Sequence, residues 1–217
     1  MMAMPGEKTR IAVLVSGGGT NLQHLMDSEK KGGLPHGEIV LVVSNRKGAY
    51  ALQRAKEAGI ESLYIPRKKE DPQRFEEKLI DALESHRIDL IILAGFLSIL
   101  SPAFIRRFPD RILNVHPSLI PSFCGKGYYG LIVHEKALER GVKVTGATVH
   151  LVNEIPDGGR IILQKAVEVK EGDCPESLQK RVMEEAEWIL LPQAAELFAK
   201  KIAEEKTRSL SSKGAIE

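Results

Sequence analysis

Short β-branched runs alternate with amphipathic stretches along the first half of the chain, and this rhythm constrains the fold more than any other feature. The runs fall at residues 11–15, 38–44, 63–65 and 89–93, and helix patterns fill residues 21–31, 49–58 and 72–86. In the last of these, Phe75, Leu79, Ile80 and Leu83 recur at helical spacing with charges on the other faces. Gly59 follows the second pattern, where a helix stop belongs. Strand–helix–strand repetition predicts an α/β, Rossmann-like single domain, a mostly parallel sheet flanked by helices. Right-handed crossovers then bring every strand's carboxyl end to one edge, where open sheets of this kind bind ligands. The polar segments that follow the strands are Ser16 onward, Ser44 with Asn45, Ala94 with Gly95, and residues 114–117.

After residue 130 the rhythm changes. A helix is expected at 130–140, followed by two extended runs at 143–152 and 161–169 around the turn EIPDGGR. These read as a C-terminal β-hairpin of undetermined direction. A long final helix is expected from Pro175 towards Lys201, kinked or broken at Pro192. The domain is placed at residues 9–203, with flexible tails at 1–8 and 204–217.

The chain has 217 residues with 31 basic and 29 acidic side chains, so its formal charge of +2 gives no electrostatic reason to expect nucleic acid or an anionic membrane. Cys124 and Cys174 form no CxxC pair, and the six histidines lack a metal-ligand spacing, so no metal is expected. No apolar run approaches the ~20 residues of a membrane span, and MMAMPGEKTR lacks a signal-peptide core. The expected setting is the cytoplasm.

Two segments carry chemistry. In RILNVHPSLIPSF, Asn114 and His116 flank Val115, and residues two apart in a strand point the same way. A carboxamide and an imidazole therefore project together just before Pro117 ends regular pairing. Such a pair suits acyl or formyl transfer, in which negative charge develops on an oxygen. In IAVLVSGGGTNLQHL, a strand, three glycines and a helix start form a candidate phosphate loop, with Gly19, Thr20 and Asn21 at the helix entrance. Leu22 breaks the dinucleotide fingerprint and no lysine follows Gly19, so a monophosphate fits better than NAD or ATP; a plain tight turn is the other reading.

With these pieces assembled, the chain resembles the phosphoribosylglycinamide formyltransferases. The likeness runs from about Ile11 to Ala199 and rests on VLVSGGGTNLQ, VVSNRKGAYALQRAKEAGI, DLIILAGFLSILSPAFI, ILNVHPSLIPSF, HEKALERGVKVTGATVHLV and PDGGRIILQKAVEV, in the family's order. The resemblance implies transfer of a formyl group from 10-formyltetrahydrofolate, a cosubstrate, to the primary amine of 5-phosphoribosylglycinamide in purine synthesis. It places the catalytic residues at Asn114, His116 and Asp157. Asp157 would hold His116 in its charged form; spacing alone makes Asp157 a turn residue. The substrate phosphate is implied at Gly19, Thr20 and Asn21, and a substrate-binding glutamate on the last helix. Counting back from Pro192 puts that glutamate at Glu187, and counting forward from Arg181 and Val182 gives Ala186. The bland alternative makes Glu184, Glu185 and Glu187 a solvated face. Folate is implied along Leu97, Ser98, Ile99 and Leu100, beside Asn114 and the loop 153–157.

Several positions depart from the family pattern. Ser98 stands where many members carry arginine, Ile132 and Trp188 where many carry histidine, and FCGKGYYGLIVHEKAL is longer than the common segment. Formyltetrahydrofolate hydrolase and methionyl-tRNA formyltransferase share the chemistry, but they carry an additional N-terminal or C-terminal domain for which this chain shows no counterpart. The expected partners are therefore two small molecules, with neither nucleic acid nor membrane, and a monomer or homodimer.

Overall fold

The structure is a computed structural model that describes residues 7–68 and 71–213. Seven strands form one sheet in the order β3-β2-β1-β4-β5-β6-β7. They are β1 (Thr9–Val15), β2 (Gly37–Ser44), β3 (Glu61–Tyr64), β4 (Leu90–Leu93), β5 (Ile112–His116), β6 (Val144–Leu151) and β7 (Ile161–Glu168). The first five pair in parallel, and β6 and β7 add antiparallel, which fixes the hairpin direction that the sequence left open. The helices are α1 (Thr20–Lys30), α2 (Tyr50–Glu57), α3 (Pro72–Ser85), α4 (Pro102–Arg107), α5 (Leu131–Arg140), α6 (Pro175–Val182) and α7 (Trp188–Lys213). A π-helical turn, Met183–Glu187, joins α6 to α7.

Residues of β1, β2, β4 and β5 alternate between two apolar layers. Ile11, Val13 and Val15 meet Leu22 and Leu25 of α1 and Ala195 and Phe198 of α7. Ala12 and Leu14 face the other way, onto Phe75, Leu79 and Leu83 of α3 and Phe104 of α4. This is the covering of both faces that near-continuous apolar strands require. The chain winds outward from β1 to β3 and then returns to place β4 on β1's other side. The β1/β4 boundary is thus a topological switch point, where the connecting loops diverge and a crevice opens.

α4 was not anticipated, because its six residues, PAFIRR, are too short to display a helical period. Pro192 lies inside α7 without ending it. The last helix also runs on to Lys213, where a flexible tail was expected from 204. Charge explains this: Glu205 pairs with Arg111 at 2.7 Å and Lys206 with Asp89 at 2.7 Å, two residues that stand just before β5 and β4. Residues 1–6 and 214–217 of the expected tails lie outside the described residues. Among the described residues, no helix is long and apolar enough to cross a membrane.

The hairpin permits little change at its centre. A Cβ at Gly146 in β6 would sit 2.0 Å from the Lys165 carbonyl oxygen of β7. Gly146→Ala is expected to push the strands apart and lower stability by roughly 1–3 kcal/mol, read as a lower urea midpoint at unchanged m-value.

Candidate active site

A cleft of about 570 Å³ opens at the carboxyl edge of the sheet. The antiparallel junction of β5 and β6 supplies its chemistry. Asn114 faces His150 across the two strands, and His116 faces Thr148. Asp157 arrives from the turn between β6 and β7, in the left-handed region at φ 55°.

The hydrogen bonds fix the tautomers. His150 Nδ1 lies 2.8 Å from the Leu151 carbonyl, which can only accept, so Nδ1 carries the hydrogen. Its Nε2 lone pair then accepts from Asn114 Nδ2 at 3.1 Å. His116 Nε2 donates to the Phe123 carbonyl at 2.8 Å, which leaves its Nδ1 facing Asp157 Oδ2 at 3.6 Å. The same carboxylate oxygen accepts the Gly125 backbone N–H at 2.8 Å. Asp157 Oδ1 stands 3.5 Å from both Asn114 Nδ2 and His150 Nε2. The second Asn114 N–H therefore has only a long contact and is available to an oxygen entering the cleft.

Burial raises the Asp157 carboxyl, but the His150 and His116 rings, whenever they carry a proton towards it, and the Gly125 N–H outweigh that and hold the group below the usual carboxylate range. His116 moves the other way from expectation. Burial lowers its pKa by more than Asp157 and the Phe123 carbonyl raise it, so the resting ring is neutral above its ordinary range, not the imidazolium that Asp157 was expected to impose. Neutral His116 is a base at Nδ1 with a carboxylate beside the proton it would receive.

The other expected site residues are distributed around this cluster. Asn21 and Glu187 line the cleft, as do Leu97, Ser98, Ile99 and Leu100. Asn21 Nδ2 donates to Glu187 Oε2 at 2.7 Å. Burial pushes the Glu187 carboxyl up to about 7, against that hydrogen bond. Gly19 and Thr20 do not line the cleft; they precede Asn21 at the entrance to α1. Gly19 has φ 73°, and a Cβ there would meet the Ala51 Cβ at 2.6 Å, so α2 closes against the loop only with glycine. α1 has no side-chain cap, which leaves first-turn amides for an anion.

Leu97 and Ile99 are 48% and 60% exposed and offer an apolar wall, whereas Leu100, at 5%, packs into the core with Phe104. Ser98 ties its loop down: its hydroxyl accepts from Asn45 Nδ2 at 2.6 Å, and Asn45 accepts from Ser16 at 2.8 Å. Positive charge reaches the cleft from Arg46 and Lys126 instead.

Sequence reasoning missed His150 and His134. Each is a histidine in an apolar stretch, where the ordinary expectation is a satisfied core residue, and only cross-strand register reveals the partner of His150. His134 is fully buried in the cleft wall, with neither ring nitrogen partnered among the described residues. Burial, with the nearby His116 charge, lowers its pKa to about 4.

A doubly wound sheet brings a carboxamide donor, an imidazole and a carboxylate together at its carboxyl edge, a set of groups suited to group transfer at a carbonyl. Comparison with known proteins agrees. The chain belongs to the formyl transferase family, which matches residues 9–194. It is 41% identical to the phosphoribosylglycinamide formyltransferase of Haemophilus influenzae, over 81% of each chain. It is also 41% identical to the chloroplastic phosphoribosylglycinamide formyltransferase of Arabidopsis thaliana, over 82% of this chain, but spans only 61% of that relative's length. Glycinamide ribonucleotide transformylase 1 of Symbiobacterium toebii has a similar structure, with a TM-score of 0.82 at 42% identity and 89% of each chain covered.

The buried His134 has a consequence for stability. A histidine held at about 4 when folded and near 6.5 when unfolded favours the folded state above pH 6.5. That contribution, on the order of 3 kcal/mol, is lost as pH falls from 6.5 through about 4. His134→Phe is expected to flatten the decline, measured by urea unfolding at several pH values across this window.

Proposed function

We propose that this chain transfers the formyl group of 10-formyltetrahydrofolate to the primary amine of 5-phosphoribosylglycinamide, giving the formylated ribonucleotide and tetrahydrofolate. The observation that carries the reading is the convergence of Asn114, His116 and Asp157 on one cleft, from β5 and a turn 41 residues further on. Asn21, which follows the glycine loop, and Glu187 line that cleft, and the exposed Leu97 and Ile99 form an apolar wall.

The substrate phosphate rests on Gly19, Thr20 and Asn21, with Glu187 on the ribonucleotide and the folate ring against Leu97, Ser98, Ile99 and Leu100. The amine attacks the formyl carbon, and the carbonyl electrons move onto oxygen. Asn114 Nδ2 donates to that oxygen as it becomes negative. His116 Nδ1 accepts the proton leaving the amine, and Asp157 stabilises the resulting imidazolium. The C–N bond to the folate then breaks, and the proton passes to the departing folate nitrogen. The near-neutral charge accords with two small-molecule substrates, with neither nucleic acid nor membrane as partner. The proposal carries a cytoplasmic setting and a monomer or homodimer.

The test mixes the protein with the ribonucleotide and a 10-formyl folate while following folate absorbance. Consumption without ribonucleotide would mean a hydrolase, and none in either mixture a binding module. Asn114→Ala is expected to lower kcat by ~10²–10³, and His116→Ala by ~10²–10⁴. Asp157→Ala is expected to fall with His116→Ala. Calorimetry on the folded variants is expected to show ribonucleotide binding retained, because the phosphate is anchored elsewhere.

A further inference from the structure

The start of α1 and the π turn touch at successive positions. Thr20 Oγ1 lies 3.9 Å from Met183 Sδ, Asn21 donates to Glu187, and the His24 ring stacks on Trp188 with centroids 3.8 Å apart and planes 15° from parallel. Residues 20, 21 and 24 share one face of an α-helix. Residues 183, 187 and 188 face them together because a π turn repeats over more residues than an α turn, so both the fourth and fifth neighbours of Met183 point the same way. Such turns inside α-helices often occur at functional sites. A π turn holds one residue more than an α turn, which is the difference between the two counts of the family glutamate, and Glu187, not Ala186, is the residue that lines the cleft.

We propose that the π turn and the ring stack behind it form a clamp that sets the Glu187 carboxyl for the ribonucleotide, with Trp188 and His24 as positioning residues for that substrate; this rests on the functional reading above. Glu187 needs such a device. It is buried with one described partner, Asn21, whose own Oδ1 is unpartnered among the described residues, so the pair alone fixes neither amide nor carboxylate. The clamp adds the Thr20 hydroxyl donating to the Met183 sulfur on one side and a stacked pair on the other. It joins the helix that begins the glycine loop's anion site to the turn that carries the carboxylate. Phosphate and carboxylate sites would then be held at a fixed separation, as a substrate with an anion at one end and an amine at the other requires.

Trp188 is the chain's one tryptophan, so intrinsic emission reports on the stack directly. The experiment uses the full chain. Trp188→Leu, which removes the ring, is expected to raise KM for the ribonucleotide at least tenfold, with KM for the folate donor within twofold. Trp188→Phe, which keeps a ring, is expected to recover most of that loss. His24→Leu breaks the stack from the other side, keeps the fluorophore, and is expected to show the same KM split. Wild-type emission is expected to shift on titration with ribonucleotide alone. An unchanged ribonucleotide KM in folded Trp188→Leu and His24→Leu proteins, an equal rise for both substrates, or a Phe variant no better than Leu would overturn the clamp. A wild-type protein that transfers no formyl group would end the functional reading, and the emission titration would then decide the clamp by itself: a shift sustains it, constant emission removes it.

Discussion

The Asp157 carboxylate is the interaction on which the site depends. It accepts a backbone N–H from Gly125 and stands between two imidazoles and an amide. A carboxylate taken from water without partners would be neutralised. Here the surrounding donors keep it charged despite burial. That fixed charge gives the neighbouring groups their direction. It lies beside the one His116 nitrogen left free to take a proton, and it sits beyond the Asn114 donor that an incoming oxygen would meet. Gly125 links this charge to the glycine-rich segment 125–130, so the position of that segment and the charge state of the carboxylate are coupled.

How much of this was legible in the sequence depends on distance along the chain. The strands and helices of the first half were readable because their periods differ, and burial on both sheet faces makes the strand runs continuous. Asn114 and His116 were readable as a pair because strand geometry places residues two apart on one side. Asp157 was not readable from spacing. Its turn brings it to His116 through the β6–β7 hairpin, and the sequence left that hairpin's direction open; the family resemblance singled it out. His150 reaches Asn114 only through antiparallel register, a pairing of residues 36 apart. The neutral state of His116 was also illegible, since burial is a property of the assembled cleft.

The last helix shows a subtler limit. Periodicity placed a helix there and Pro192 suggested an interruption, yet the interruption lies before it, at the π turn. A one-residue insertion in a helix leaves composition and amphipathic pattern nearly unchanged while rotating every later side chain. The forward and backward counts of the last-helix glutamate conflict over the same residues that form the π turn. Likewise the polar end of the chain looked like a tail, because the charges that hold it, Asp89 and Arg111, lie about a hundred residues earlier.

The distribution of polarity along the cleft follows from this architecture. Asn21 and Glu187, held by α1 and the π turn, add a buried polar pair to its lining. Leu97 and Ile99 make a solvent-facing apolar wall, on a loop tied through Ser98 and Asn45 to Ser16. Asn114, His116 and Asp157 also line the cleft, positioned by a strand junction that neither set of residues controls. A ligand with an anionic end and a ligand with a flat apolar body would therefore be sorted by separate elements and meet over the same donor. Changes at Ser98 and its loop can then accumulate without disturbing Asn114, His116 and Asp157. Changes in the β5–β6 register cannot, because a one-residue slip would reverse the face on which Asn114 and His150 meet.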